Sequence, residues 1–281
     1  LEEMTIGKMN FRKSLNGIWK FSFAKNLYSR IKEFYEEDYD YSGWGNITVP
    51  GHIQLQGYDA PHYVNTMYPW DGHENILPPQ VPTEYNPVGS YIRTFEVPKN
   101  WDKDRVFLSF QGVESSFNLW VNGKFVGYSE DTFTPSEFDI SPYLVEGENK
   151  IAVEVIKWCS GSWIEDQDFW RLSGIFRDVY LFSYPQVHVK DIFVKTELDN
   201  EYKNSNLSLE IKLDNKASKE VEIYFELFDK ENKLVASSAI NRTNENECYL
   251  SKEVTNVKLW SAENPYLYKL VVYVKENNQI I

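Results

Sequence analysis

Cysteine, histidine and methionine are scarce in this chain, with 2, 4 and 3 residues respectively among 281. Cys159 and Cys248 stand far apart, with no Cys-x-x-Cys and no Cys/His cluster around either. Neither a disulfide framework nor a zinc site is therefore expected. No apolar run approaches the ~18 residues of a membrane span, and Leu1 to Asn10 lack the basic-then-apolar order of a secretory leader. Positive charge is also short: 29 Lys and Arg against 42 Asp and Glu give a formal net charge of -13, with no basic stripe. Such a surface repels phosphate backbones, so neither nucleic acid nor an anionic membrane is an expected partner. A soluble, reducing compartment, the cytoplasm, is the expected location.

What the chain does hold is apolar and aromatic. Hydrophobic residues make up 42%, enough for proper cores, and the length suits two domains. Aromatics reach 16%, with 9 Trp, 19 Tyr and 17 Phe. Rings favour strands and fill sandwich cores; they also stack on the apolar faces of sugars. Most are assigned here to cores.

Period-two alternation recurs along the chain and period 3.6 almost nowhere, which predicts an all-β protein. Trp19, Phe21 and Phe23 alternate with polar or small residues, as do Tyr91 to Val97, Val106 to Phe110, Lys150 to Lys157 and Arg177 to Phe182. Phe117, Leu119 and Val121 run into Asn122-Gly123, and Phe125 and Tyr128 follow. Asn-Gly accepts the positive φ angles of a two-residue hairpin, so two antiparallel strands are expected to meet there. Leu27 to Tyr39 has a helical flavour but is short, acidic and uncapped, and is expected to be irregular. Val49 to Gly89, rich in Pro, Gly, Asn, His and aromatics, is expected to be a long ordered loop with a function.

The texture changes near Tyr184-Pro185-Gln186, which sets the expected domains at 1–184 and 185–281. Beyond it Leu207, Leu209, Ile211 and Leu213 oppose Ser208, Glu210 and Lys212, and Val221 to Leu227 repeats the pattern. Short strands at this spacing predict an immunoglobulin-like sandwich without the Cys-Trp-Cys core of antibody domains. The strand expected at Lys269 to Lys275 leads to Asn277-Asn278, and only Ile280 and Ile281 remain for a returning partner. The last strand of this sandwich is accordingly expected to lie beyond the chain.

The densest polar cluster runs from Trp163 to Arg171, three carboxylates and an Arg among large apolar residues. Charges in such a setting are costly unless paired or used. If the segment is extended, Asp166 and Asp168 share a face. Retaining glycosidases hold their two carboxyls ~5–5.5 Å apart, and residues two apart on a strand permit that spacing. Both groups would then approach from one side, whereas the acid and the nucleophile must flank the bond being broken. Alternatively Arg171 and Arg177 pair with these acids and stitch strands together. The favoured reading is polar recognition beside an aromatic wall, with Glu165, Asp166, Trp170 and Arg171 in support. For Trp70, Trp163 and Trp170, sugar stacking and core packing stay equally open. His52, His62, His73 and His188 are isolated from one another in sequence and are assigned to packing or solvent. Ser173-Gly174 lacks the surrounding Gly-x-Ser-x-Gly of a nucleophile elbow.

Several ordered blocks carry a resemblance. Ser162 to Asp178, with Glu-Asp-Gln-Asp-Phe-Trp-Arg-Leu-Ser-Gly-Ile-Phe-Arg-Asp, resembles the sugar-binding domain of glycoside hydrolase family 2 β-galactosidases. So do Val49 to Gln54 continuing through Gly57 to Pro61 and Tyr63 to Pro69, and Val81 to Glu84 with Asn86 to Tyr91. A further block joins Phe110 to Val113, Trp120 to Gly123, Val126 to Tyr128 and Pro135 to Asp139. Leu259 to Tyr268 resembles the close of the immunoglobulin-like domain that follows in that family. Relatives acting on glucuronides or mannosides share Gly-Ile-Phe-Arg but usually lack Glu-Asp-Gln-Asp, which favours a galactoside.

The resemblance implies a jelly-roll β-sandwich, then an immunoglobulin-like one, then a (β/α)8 barrel holding the acid/base and nucleophilic Glu residues. The chain is thus expected to be the non-catalytic amino-terminal part of a β-galactosidase that hydrolyses terminal β-D-galactosides such as lactose with retention. It is expected to be inactive alone, with no catalytic residue of its own. By motif position Asn65 and Asp168 are the expected substrate-binding residues. Asp168 is also the expected sodium ligand once the barrel is present, and magnesium is a second ion implied for the complete enzyme. No cofactor and no occupied metal site are expected in this chain alone. The implied partners are β-galactosides, the catalytic barrel of the same chain and further copies in a homo-oligomer. Rival readings are a free-standing carbohydrate-binding module, a family 2 relative acting on another β-glycoside, and a structural piece without sugar contact.

Overall fold

The computed structural model describes residues 11–101, 105–165 and 167–281, and strands dominate them. The chain divides into two compact units, Leu1–Ser183 and Tyr184–Ile281. The first carries fourteen strands: β1 (Arg12–Ser14), β2 (Gly17–Ala24), β3 (Gly45–Val49), β4 (His62–Val64), β5 (Val88–Glu96), β6 (Val106–Phe110), β7 (Val113–Glu114), β8 (Ser116–Val121), β9 (Lys124–Ser129), β10 (Ser136–Asp139), β11 (Glu148–Ile156), β12 (Phe169–Arg171), β13 (Gly174–Ile175) and β14 (Val179–Ser183). A six-stranded sheet, β3-β2-β5-β11-β8-β9, faces a four-stranded one, β1-β14-β6-β10. Trp19, Phe21, Tyr91 and Val153 from the first and Leu108, Phe110 and Leu181 from the second fill one core, giving a jelly-roll sandwich.

Local chemistry explains the framing turns. Asn122 and Gly123 sit at φ 47° and 74°, the left-handed pair that a primed two-residue turn needs, and they join β8 to β9. Asn122 is pinned further: its amide donates to Asn149 Oδ1 at 2.8 Å and to the Tyr143 carbonyl at 2.9 Å, while its Oδ1 accepts the Lys150 N–H at 2.8 Å. Leu27 to Tyr39 is a run of turns and bends, as expected of a short, acidic and uncapped segment. It is nevertheless anchored, because Phe34 is fully buried with Ile92 and Ala152, and Trp44 and Trp120 pack around it.

Two short ladders matter most for the site. β4 pairs antiparallel with β12, and β7 pairs with β13. The first ties the loop expected over Val49 to Gly89 to the end of the polar run at Arg171, and the second ties Gly174–Ile175, just beyond it, to Val113–Glu114. That loop is less free of structure than its sequence implied, since it contains a 3-10 turn at Gln54–Gln56 and all of β4.

The second unit holds β15 (His188–Leu198), β16 (Ser205–Asp214), β17 (Val221–Phe228), β18 (Leu234–Thr243), β19 (Glu247–Val254), β20 (Lys269–Glu276) and β21 (Gln279–Ile280). Its two sheets, β15-β16-β19 and β18-β17-β20-β21, form an immunoglobulin-like sandwich around Leu209, Ile211, Ile223 and Phe225. Asn277 and Asn278, at φ 51° and 63°, turn β20 back into the two-residue β21. Leu259, Trp260, Tyr266 and Leu267 line an apolar cavity of about 340 Å³ in this unit. Cys159 and Cys248 are both free and buried, one in each unit, and burial pushes both thiols up.

Candidate functional site

The β4–β12 ladder pairs Phe169 with Val64, Trp170 with Tyr63 and Arg171 with His62. Alternation then sorts the two strands into faces. Tyr63 and Trp170 point to solvent, at 49% and 57% exposure, while Arg171 turns inward at 5%. Asn65 follows the last pair on one strand and Asp168 precedes it on the other, so both leave the ladder at the same end. Both are exposed. Tyr63 donates its phenolic proton to Asp168 Oδ1 at 2.5 Å, which holds Asp168 on the Tyr63–Trp170 face. Asn65 Oδ1 accepts the Thr66 N–H at 2.8 Å, leaving its amide NH₂ outward as a donor.

The result is a compact polar and aromatic surface: a carboxylate, a carboxamide, a phenol and an indole. Tyr63 and Trp170 have ring centroids 5.5 Å apart at an interplanar angle of 52°. A carboxylate can accept two hydroxyl hydrogen bonds and an amide can donate and accept, the chemistry that hydroxyl recognition requires. The hydrogen bond to Asp168 also raises the Tyr63 phenol, keeping it a donor.

The polar run before β12 is built differently from the extended reading. Ser160–Trp163 is a 3-10 turn, Ile164 closes it, and strand geometry starts only at Phe169. The face-sharing reading of Asp166 and Asp168 falls on Asp166, which lies outside the described residues. Glu165 is half-buried and accepts the Thr132 hydroxyl at 3.1 Å. Burial pushes its carboxyl up against the effect of Thr132, and Asp131 and Glu130 add to the rise. Arg171 donates to the backbone carbonyls of Glu165, at 3.4 Å, and Gln167, and its guanidinium lies 4.4 Å over the Phe169 ring. It thereby ties the Glu165 and Gln167 backbones to β12, next to Asp168.

Trp70 and Trp163 separate from Trp170. They pack edge-on, centroids 4.7 Å apart, and Trp163 Nε1 donates to the Gln80 carbonyl at 2.7 Å. Of the three indoles left open by the sequence, Trp170 has the exposure that stacking needs.

Other groups escaped the sequence reading. Glu114 and Glu165 line a small void of about 20 Å³ together with Ser115, Thr132, Phe169 and Arg171. Burial pushes the Glu114 carboxyl up to about 8, against the pull of Lys157 and Arg171. Asp59 and Lys157 form a buried ion pair, 3.0 Å apart. His62 and His73, isolated in sequence, line one cavity of about 320 Å³ with Glu74, Glu84, Trp70 and Trp158. Burial lowers His62, and Lys157, His73 and Arg171 lower it further. Ser173 exchanges hydrogen bonds with Gln54, its N–H donating to Oε1 at 2.8 Å, which makes it a packing residue.

Among the described residues no three His, Cys, Asp or Glu side chains come together in a way that could hold a metal ion. Asp168 and Asn65 alone leave unsupplied most of the ~6 oxygen ligands that a hard cation takes. The sodium ion implied by the resemblance thus has no complete ligand set among the described residues. No helix among the described residues is long and apolar enough to cross a membrane.

Comparison with known proteins shows the family of both units. Residues 12–185 match the family model of the glycosyl hydrolases family 2 sugar binding domain, and residues 187–281 match a second glycosyl hydrolases family 2 model. A β-galactosidase of Halalkalibacterium halodurans is 53% identical over 96% of this chain, which spans 26% of that relative. A β-galactosidase of Clostridium acetobutylicum is 55% identical over 96% of the chain and 30% of the relative. The chain therefore spans under a third of the length of each of these two relatives. A crystal structure of a β-glycosidase from Bacteroides vulgatus superposes with a TM-score of 0.73 over 96% of this chain and 32% of its own, at 24% identity, a likeness of fold.

Proposed function

This chain belongs to family 2 of the glycosyl hydrolases, and from that premise we propose that it supplies part of the galactose site of a β-galactosidase without supplying the reacting carboxylates. The carrying observation is the convergence of Asn65 and Asp168 at one end of the β4–β12 ladder, beside exposed Tyr63 and Trp170. Asp168 and the Asn65 amide take hydroxyls of a terminal β-galactosyl unit while Trp170 offers an apolar wall. Binding energy from groups remote from the reacting carbon is what allows distortion at that carbon. Retaining hydrolysis needs two carboxyls ~5–5.5 Å apart on opposite sides of the bond, and among the described residues this surface presents one outward carboxylate, which does not meet that demand. The acid and the nucleophile belong, on this reading, to a catalytic barrel beyond these two sandwiches, as does the remainder of any sodium site. Lactose-type galactosides, the cytoplasm and a homo-oligomeric assembly complete the proposal.

The test is kinetic. Asn65→Ala and Asp168→Asn in the gene's full-length product should each lower kcat/KM for a chromogenic β-galactoside roughly 10- to 100-fold, in line with losing one or two sugar hydrogen bonds. The 281-residue chain alone should show no turnover. Turnover by that chain, abolished by altering Asp168, would overturn the proposal; tight galactose binding by it would favour a carbohydrate-binding module.

A further inference from the structure

Asp168 is exposed and precedes its strand, so nothing in its own backbone fixes the direction of its carboxylate. Tyr63 does. On the antiparallel ladder Tyr63 lies opposite Trp170, which makes Asp168, two residues before Trp170, its diagonal neighbour on the same face. Diagonal pairs are within reach of an aromatic side chain. The Tyr63 phenol closes that distance with a 2.5 Å hydrogen bond to Oδ1, at the short end of the charge-assisted O–H···O⁻ range. One oxygen of the carboxylate is thereby occupied, and Oδ2 has no hydrogen-bond partner among the described residues.

Resting on the galactose-site reading above, we infer that Tyr63 is a positioning residue of that site: it sets the rotamer of Asp168 so that Oδ2 meets the sugar hydroxyl. Trp170 limits where the ring can go, its centroid 5.5 Å from that of Tyr63. The sequence names every member of this group, yet the role of Tyr63 follows only from the register that brings Tyr63 to Asp168. Fixing one rotamer before binding spares its ordering at the moment of binding, which corresponds to roughly a three- to tenfold gain in affinity.

The experiment compares Tyr63→Phe, Asp168→Asn and the double variant in the gene's full-length product, with a chromogenic β-galactoside as probe. Tyr63→Phe keeps the ring and removes the donor. It should raise KM roughly three- to tenfold, with kcat less affected and the melting temperature unchanged, since both partners are exposed. The double variant should be no worse than Asp168→Asn, because the phenol acts by orienting a carboxylate that Asp168→Asn has already removed. A Tyr63→Phe enzyme equal to wild type beside an impaired Asp168→Asn enzyme would overturn the inference and leave the site reading intact. Additive losses in the double variant would also overturn it. If Asp168→Asn is silent, or the product does not turn over β-galactosides, the site reading falls and Tyr63 with it.

Discussion

Lys157 Nζ lies 3.0 Å from Asp59 Oδ2, with both side chains almost wholly removed from solvent at 1% and 2% exposure. Burial alone would raise Asp59, but hydrogen bonds from Tyr85 and Gln54 and the Lys157 ammonium outweigh it, and the carboxyl is held below its ordinary value. The pair clamps β11's exit to the loop before β4. Lys157→Met leaves a buried charge without its counterion, which costs about 3–5 kcal/mol. Chemical denaturation should show that loss. Because the folded-state value is depressed, the Asp59 contribution is complete above about pH 4 and disappears as pH falls through the folded-state value. An acid-melting curve of Lys157→Met should therefore lack part of the wild-type drop below that pH.

Glu114 behaves in the opposite sense. Its carboxyl is pushed from the usual 4.5 up to about 8, so the folded chain keeps a proton that the unfolded chain releases. Stability from this group is intact in acid and declines as pH rises between those two values. Glu114→Gln removes the titration. It should stabilise the fold near pH 7 by roughly 3 kcal/mol and have little effect near pH 4.5, the lower of those values. Melting temperatures of both proteins across that window are the check, and parallel curves would contradict the burial argument.

Which parts were legible follows from how locally each is encoded. The β16 and β17 patterns could be read directly, because alternate residues such as Leu209 and Ile223 are buried and their neighbours are not. β15 could not: most of its side chains are exposed, and its register shifts between Val189 and Asp191, so no clean period survives. Phe34 was hidden for another reason, since a buried residue in a run of turns follows no period. The same holds for the site. Asn65 and Asp168 were marked by resemblance, but only the β4–β12 register shows that they leave one ladder together. Tyr63 was within reach of the alternation rule, two residues before Asn65. Glu114 was not, because its displacement comes from surrounding burial that no short window records.

The hairpin at Asn122-Gly123 offers a sharper stability test than a generic turn. Asn122 is 7% exposed and serves Tyr143, Asn149 and Lys150 at once. Asn122→Ala strands those partners inside the sandwich and should cost about 2–4 kcal/mol. Gly123→Ala meets no close side chain, the nearest atom being Glu37 Cγ at 3.5 Å; only its positive φ is penalised, at about 1 kcal/mol. Equilibrium unfolding should rank them in that order, and a reversed order would mean that turn geometry outweighs the buried polar contacts.

Arg171 links fold to site. Its guanidinium, on a residue 5% exposed, reaches the carbonyls of Glu165 and Gln167 and covers Phe169. Lysine keeps the charge but presents a compact ammonium without the planar fork, so Arg171→Lys cannot span both carbonyls and lose nothing. Hydrogen bonds from charged donors contribute about 1.5–3 kcal/mol each, and roughly one should be lost. The turn before Asp168 should then loosen, becoming open to limited proteolysis between Glu165 and Asp168 while the hairpin at Asn122 stays protected. Sugar affinity should fall alongside, with Asp168 still present. An Arg171→Lys protein that resists cleavage there and melts like wild type would show that the turn is held by Phe169 and Thr132 instead, and that Arg171 is dispensable to the placement of Asp168.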